Sequence, residues 1–309
     1  MKMPQPIPYQ GSKRNIARAI LAFFPTKINT VVEPFAGSAA VSVAVAARGK
    51  ASRFHLNDIN KPLMDLWTGI INDPTWIADS YERLWKEQKG QERDFYDFVR
   101  DEFNRTQRSD YFLYLLARCV KASVRYNSRG KFNQSPDNRR KGREPKKMRE
   151  DIFAVSALLK GKTEISSKDY KEVLATISER DLIYMDPPYQ GVCRGRDPRY
   201  YGGVNFDEFV EQLRILAQNH MWFIVSYDGR RGHNKYGREL PPDIGYRIEI
   251  NAGRSTQSTL LGENKITYES LYLSEALLGS LDIPISKLPK IYSFVGKPAR
   301  LFTESYVEH

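Results

Sequence analysis

Thr30-Val31-Val32-Glu33 reads as a short buried strand that runs straight into Pro34-Phe35-Ala36-Gly37-Ser38 and then an Ala/Val-rich helix through Val45. This strand, small-residue turn and helix constrain the fold more than any other stretch. Gly37 has no side chain to keep a ligand away from the backbone. A second strand, Phe54-His55-Leu56, ends at Asn57-Asp58. Asp58 follows Gly37 by about twenty positions, close to the spacing at which an acid meets a ribose hydroxyl in α/β nucleotide sites.

Asp181-Leu182-Ile183-Tyr184-Met185-Asp186-Pro187-Pro188-Tyr189 repeats the strand-then-stop pattern later in the chain. Leu182 to Met185 suits a buried strand, and two prolines that cannot donate ladder hydrogen bonds end it. Asp186 and Tyr189 are thereby held at the carboxyl end of a strand, the edge of an open α/β sheet where ligands bind. On these residues alone a plain strand-to-turn exit stays open. The chemical alternative is more specific. The lone pair of a nucleobase amino group is delocalised into the ring, and two acceptors would localise it: the Asp186 carboxylate and the Pro187 carbonyl. Tyr189 would stack on the base, a contact of roughly 1–3 kcal/mol.

Upstream, Pro8-Tyr9-Gln10-Gly11-Ser12-Lys13-Arg14 precedes a helical pattern through Ile16, Ile20, Leu21 and Phe24 that Pro25 ends. Gly11 and Ser12 suit a tight turn, serving either as a simple helix cap or, with Lys13, as a cradle for a carboxylate or phosphate. The segment is too short for a triphosphate-binding loop.

From Lys61 to about Arg118 the pattern is helical and polar, with Trp67, Ile70, Ile71, Tyr81, Leu84, Trp85, Phe95, Phe98, Val99 and Phe103 expected in the core and a further buried helix over Asp110 to Ala117. The segment 121–150 differs in charge. Eleven basic residues (Lys121, Arg125, Arg129, Lys131, Arg139, Arg140, Lys141, Arg143, Lys146, Lys147, Arg149) stand against three acids (Asp137, Glu144, Glu150), so most of the chain's net +11 sits there. Such a run is either a solvated face or a polyanion contact. Two cysteines, Cys119 and Cys193, read as ordinary thiols, and the scattered histidines imply no zinc site. No stretch approaches the roughly 20 apolar residues that span a bilayer, and no signal-like run opens the chain. The expected setting is cytoplasmic.

These motifs, in this order, resemble the Dam-type (D12 class) DNA adenine-N6 methyltransferases. Gln10-Gly11-Ser12-Lys13 is similar to the family's Ala-Gly-Gly-Lys segment, Val32 to Ser38 to its Val-Glu-Pro-Phe-x-Gly loop, Asn57-Asp58-Ile59-Asn60 to its Asp-Ile-Asn segment, and Asp186 to Tyr189 to its Asp-Pro-Pro-Tyr motif. The resemblance spans roughly residues 6 to 273. It implies an α/β fold: a Rossmann-like S-adenosyl-L-methionine (AdoMet)-dependent methyltransferase sheet with helices on both faces, plus a mainly helical DNA-recognition insert bearing a basic hairpin. The domains expected are 1–60 with 151–278 for catalysis, 61–150 for recognition, and 279–309 as an extension of unknown role.

By the same resemblance Asp186, Pro187, Pro188 and Tyr189 are catalytic. Tyr9, Gly11, Ser12, Lys13, Glu33, Pro34, Phe35, Ala36, Gly37, Ser38, Asp58, Asp169, Tyr170 and Asp186 surround AdoMet, although Asp169 reads equally as a helix-entry acid. Arg125, Tyr126, Asn127, Arg129, Lys131 and Asn133 form a DNA-contacting hairpin, with Arg139, Arg140 and Lys141 nearer phosphates. After Asn133 the family continues Val-Pro-Phe-Gly, whereas this chain has Gln134-Ser135-Pro136-Asp137, so no target sequence transfers. Ser226-Tyr227-Asp228 resembles the family's Ser-Asn-x-Asp segment beside the target base, with Tyr227 in place of Asn. Arg230, Arg231, Lys235 and Arg238 form a smaller basic loop for a second phosphate contact. The implied partners are double-stranded DNA, which would hold the protein at the nucleoid, and a cognate restriction endonuclease that need not bind directly. Two rival functions are a cytosine-N4 methyltransferase, which Ser in place of Asp186 would favour, and a non-catalytic DNA-binding protein on the same fold.

Overall fold

The computed structural model describes residues 3–188, 203–231, 234–254, 266–281 and 291–293. Tyr189, residues 190–202 with Cys193, residues 255–265 and most of the C-terminal extension lie outside them.

The described chain builds one sheet. In order, the elements are α1 (Ala17–Ile20), β1 (Ile28–Glu33), α2 (Ala40–Ala46), β2 (Ala51–Asn57), α3 (Lys61–Asn72), α4 (Pro74–Glu87), α5 (Glu92–Thr106), α6 (Ser109–Arg118), α7 (Pro145–Leu159), β3 (Thr163–Ser166), α8 (Tyr170–Leu174), β4 (Leu182–Met185), α9 (Phe206–Gln218), β5 (Trp222–Arg231), β6 (Asn234–Tyr236), β7 (Tyr246–Arg254), β8 (Ile266–Leu273), α10 (Glu275–Ser280) and β9 (Ile291–Ser293). The strand order is β3-β2-β1-β4-β5-β8-β7-β9, with β6 paired to β5. The run from β3 to β5 is parallel, and β5, β8 and β7 are antiparallel. β1 lies between β2 and β4, so the chain's path switches direction there. A crevice must open outside the carboxyl ends of β1 and β4, where Glu33-Pro34 and Asp186-Pro187 leave the sheet.

The central strand β4 is a continuous apolar run because both its faces are covered. Leu182, Ile183, Tyr184 and Met185 of β4 are all buried. Leu182 and Tyr184 face the core that holds Ile20, Leu56 and Trp67, whereas Ile183 and Met185 face the core of α9 with Phe209 and Leu213.

Several helices start where a side chain supplies an acceptor. Asp73 caps α4 at the Trp76 amide, with Pro74 in the first turn. Asn205 caps α9 through the Asp207 and Glu208 amides at 2.9 and 3.2 Å. The apolar pattern after Lys13 predicts one helix, but the chain instead forms a 3₁₀ turn (Lys13–Asn15), the four-residue α1 and another 3₁₀ turn (Leu21–Phe23). No side chain caps either start, and Pro25 forces Phe24 to extended backbone with ψ 126°.

Three further departures have local causes. Phe98 is 55% exposed rather than in the core, because Phe95, Val99 and Phe103 repeat every fourth residue along the buried face of α5 and Phe98 falls beside it. β3 is a short, half-exposed edge strand whose Thr-Glu-Ile-Ser pattern carries little apolar signal. Helix α7, hidden in the basic run, is capped by Glu144 and led by Pro145. It crosses residue 150, so the division expected there falls within a helix.

Candidate active site

Loops at the carboxyl ends of β1, β2, β3 and β4, together with the N-terminal segment, form a cleft of about 340 Å³. Its walls include Tyr9, Gly11, Ser12, Lys13, Glu33, Pro34, Phe35, Ala36, Gly37, Ser38, Asp58, Asp169, Tyr170, Asp186, Pro187 and Pro188. Fully buried Asn57 ties three of the loops together. Its amide donates to the Pro34 and Lys168 carbonyls, both at 3.0 Å, and its oxygen accepts from the Lys168 amide at 2.9 Å. Deep in the sheet, an unpaired amide would be costly, so each of these bonds fixes a loop.

Gly37 turns with φ +48°, and a Cβ there would stand 3.2 Å from the Tyr9 ring. Its amide donates to Asp58 Oδ2 at 3.1 Å, and its carbonyl accepts from Trp67 Nε1 at 2.9 Å. Asp58 Oδ1 accepts from the Asn60 amide at 3.0 Å. Burial raises the Asp58 pKa, while these two amides pull it down. A carboxylate has about four acceptor positions, so two bonds leave capacity for a ligand diol. Phe35 and Tyr170 stand 5.2 Å apart and tilted by 35°, with Phe209 edge-on to both. They make an apolar wall suited to a planar ring. Asp169 lines the cleft and also closes a capping box on α8 with Glu172, so both readings of that residue describe the same side chain.

Lys13 carries the strongest electrostatics. Its Nζ lies 3.0 Å from Asp186 Oδ1 and 3.4 Å from Glu269 Oε2, with its side chain 8% exposed. Burial alone would lower its pKa, but Asp186 and Glu269 outweigh that cost and raise it, keeping the ammonium charged. Glu33, beside the same cluster, is pushed up to about 7, mainly by burial; the Ser42 hydroxyl and amide pull it down and Asp186 pushes it up. The Ser42 amide donates to Glu33 at 2.6 Å.

The basic hairpin forms with Tyr126 and Phe132 bridged antiparallel. Asn127, Arg129, Lys131 and Asn133 are exposed, but Asn127 Oδ1 accepts from the Arg129 and Lys131 amides at 2.9 and 3.0 Å, so this residue shapes the turn. Tyr126 corrects the expectation of a DNA contact: strand alternation turns it inward, 9% exposed, and its hydroxyl donates to Asn60 Oδ1 at 3.0 Å. The hairpin is thereby joined to the loop after Asp58. Gln134 is buried and donates to the Val120 carbonyl at 3.0 Å, so the divergent Gln134-Ser135 stretch folds back onto the helices. Arg139 and Arg140 lie within 3.4 Å of Asp137, and Lys141 lies 3.6 Å from Glu92.

One expectation near the cleft is revised. Tyr227 is fully buried, stacked on Phe209 at 5.6 Å and tilted against Phe206 at 5.9 Å, and it does not line the cleft; its large ring fills the α9 core. Asp228 is engaged by Tyr272, Arg247 and Ser270 at 2.7, 2.9 and 3.0 Å. In the smaller basic loop, Arg230 pairs with Glu249 and covers Tyr268, while Lys235 pairs with Glu239 and Arg238 with Asp207 and both stay largely exposed. Glu269 and Lys168 were missed by sequence reasoning. Asn57 stood inside a recognised segment, although its role in tying the loops was not read, whereas nothing around Glu269 marks it.

The sequence profile of the D12 class N6 adenine-specific DNA methyltransferases matches residues 9–255. The chain is 26% identical over 254 residues to the DNA N-6-adenine-methyltransferase of Escherichia phage P1, covering 78% of this chain and 31% of that one. It is 31% identical to the Retron Ec67 DNA adenine methylase of Escherichia coli, covering 66% of each chain. With the type II methyltransferase M.MjaIII of Methanocaldococcus jannaschii it shares 27% identity, over 67% of this chain and 76% of that one. Among the described residues no helix is long and apolar enough to cross a membrane.

Proposed function

The chain belongs to the D12 class N6 adenine-specific DNA methyltransferases, and from that membership we propose that it methylates the exocyclic amine of adenine in duplex DNA, with AdoMet as donor. The observation that carries the proposal is the cleft itself: Asp186 and Pro187, at the end of β4, share one cavity with the Gly37 loop and the Phe35–Tyr170 wall.

The cleft chemistry fits the donor. Phe35 and Tyr170 would pack together beside its adenine, Asp58 would accept from its ribose hydroxyls, and Tyr9, Gly11, Ser12, Lys13, Glu33, Pro34, Ala36, Ser38 and Asp169 would close around the remainder. Gly37 is required because any Cβ would narrow the floor against Tyr9. When bound, AdoMet supplies an electrophilic methyl group on its sulfonium.

The target adenine would leave the helix stack to reach the cleft. Asp186 and the Pro187 carbonyl would each accept an amino hydrogen and turn the nitrogen lone pair toward the methyl. Positioning then supplies much of the rate. The amino proton becomes acidic only after methylation and leaves to Asp186 or to water. Pro188 keeps the exit extended, and Tyr189 would stack on the base. Exposed Arg129, Lys131 and Asn133, with Arg125 beside them, would meet bases or the groove, and Arg139, Arg140 and Lys141 would meet phosphates.

Asp186→Ala tests the reading. Lys13 keeps Glu269 as its counterion, so the variant is expected to fold and retain DNA while methyl transfer disappears. Undiminished transfer would remove Asp186 from the reaction.

A further inference from the structure

Lys13 has two carboxylates against it, and the second comes from β8, a strand that itself carries none of the sequence motifs. Glu269 lies on β8, paired with Gly229 of β5 where the ladder register shifts between Ser226 and Gly229. Strand alternation puts Glu269 on the same face as Leu271, the face that packs under the N-terminal segment with Ile16 and Ile20. Its side chain is 17% exposed, and Oε2 reaches to 3.4 Å from Lys13 Nζ. Asp186 holds the same ammonium from the other side at 3.0 Å. Tyr184, on β4, also faces Lys13, and Glu33, at the end of β1, also faces Asp186.

One ammonium between two carboxylates is a net anionic group, whereas one ammonium on one carboxylate is neutral. An amino group carrying partial positive charge on its hydrogens binds the first more strongly. The position of Lys13 matters equally. A cation drawn wholly onto Asp186 would compete with substrate hydrogens for the same oxygens, and attraction to Glu269 opposes that movement. We propose that Glu269 is a positioning residue for methyl transfer: it shares Lys13 with Asp186, so that Asp186 meets the adenine amino group as part of an anionic cluster rather than as half of a neutral ion pair. The inference rests on the adenine-N6 reading of the site. It assigns to β8 a part in the chemistry, although that strand belongs to the antiparallel half of the sheet.

The alternative is that Glu269 only offsets the cost of burying Lys13. The two differ in what they move. A structural counterion changes unfolding and leaves the transfer step alone. Positioning changes the transfer step while DNA and AdoMet binding stay in place.

The test uses the purified full chain with labelled AdoMet and duplex DNA under single-turnover conditions, comparing wild type, Glu269→Gln and Glu269→Asp. For Glu269→Gln the transfer rate at saturating AdoMet is expected to fall about 10- to 100-fold, the scale of a misplaced reacting group. The dissociation constants for DNA and AdoMet should stay within about threefold of wild type, a shift under 1 kcal/mol. Glu269→Asp, which restores the charge, should recover most of the rate. Glu269→Ala answers the same question should the Gln variant unfold below the assay temperature, since it places no amide in the cluster. A Gln or Ala variant that transfers at the wild-type rate overturns the inference, as does an Asp variant no faster than Gln. Absence of adenine methylation by the wild type would instead overturn the reading of the site.

Discussion

The buried Lys13 ammonium and the half-buried Asp186 carboxylate form an ion pair at 3.0 Å, joining the turn that opens the N-terminal segment to the exit of the central strand β4. More than 170 residues of chain separate them, and both line the cleft. A loop that closes on the cleft and a group proposed to act in it are therefore held by one contact.

Removing the cation should destabilise the fold. Lys13→Met leaves Asp186 and Glu269 facing each other with their shared cation gone, and breaking a buried pair in this way costs about 3 kcal/mol. Urea unfolding measures the loss. A variant within 1 kcal/mol of wild type would show that water or rearrangement compensates the two carboxylates.

Glu33 should make stability fall with rising pH. Its native pKa is about 7, against an ordinary glutamate value of about 4.3 in an unfolded chain. Between these values the native state keeps a proton that the unfolded state has lost. The contribution is therefore full below the unfolded value and declines as pH rises through the native one. Glu33→Gln removes this decline, so the variant should gain on wild type between pH 5 and pH 8 by on the order of 2–3 kcal/mol. Unfolding at both pH values checks it. An equal difference at the two would refute the assignment.

The aromatic wall predicts a cofactor effect without a DNA effect. Phe35→Ala removes the ring facing Tyr170 at 5.2 Å, and loss of a stacking face of roughly 1–3 kcal/mol should weaken AdoMet binding about tenfold or more. Calorimetry with AdoMet and a filter assay with DNA separate the two. Loss of DNA retention in the same proportion would mean that the loop had unfolded.

Phosphate neutralisation predicts a salt effect. Changing Arg139, Arg140 and Lys141 together to Ala should reduce the slope of log K against log salt by about 2 to 3, near 0.9 for each phosphate that the variant no longer neutralises. Their nearby acids, Asp137 and Glu92, place the result at the lower end. An unchanged slope would return these residues to a solvated face.

Strands β1, β2 and β4 were legible because they end in marked residues: Gly37 after β1, Asp58 after β2, and Asp186-Pro187 after β4. Each breaks an apolar run with chemistry that a loop needs. The hairpin at 125–133 was legible as a turn, but the inward direction of Tyr126 was not, because alternation requires a register that only the Tyr126–Phe132 bridge supplies. Helix α7 was hidden by composition: its basic face dominates the segment, while Met148, Ile152, Val155 and Leu159 form a narrow buried stripe. Glu269 carried no signal, since a glutamate amid Ile266, Thr267 and Tyr268 reads as the polar position of an alternating strand. The approach of Lys13 from the other end of the chain is what brings it to the site.

The central claim is the identity of the methylated atom. Duplex DNA containing all four bases, incubated with the wild-type protein and labelled AdoMet and digested to nucleosides, should carry the label as N6-methyladenine. Label recovered as N4-methylcytosine, or no label in the DNA, would contradict it.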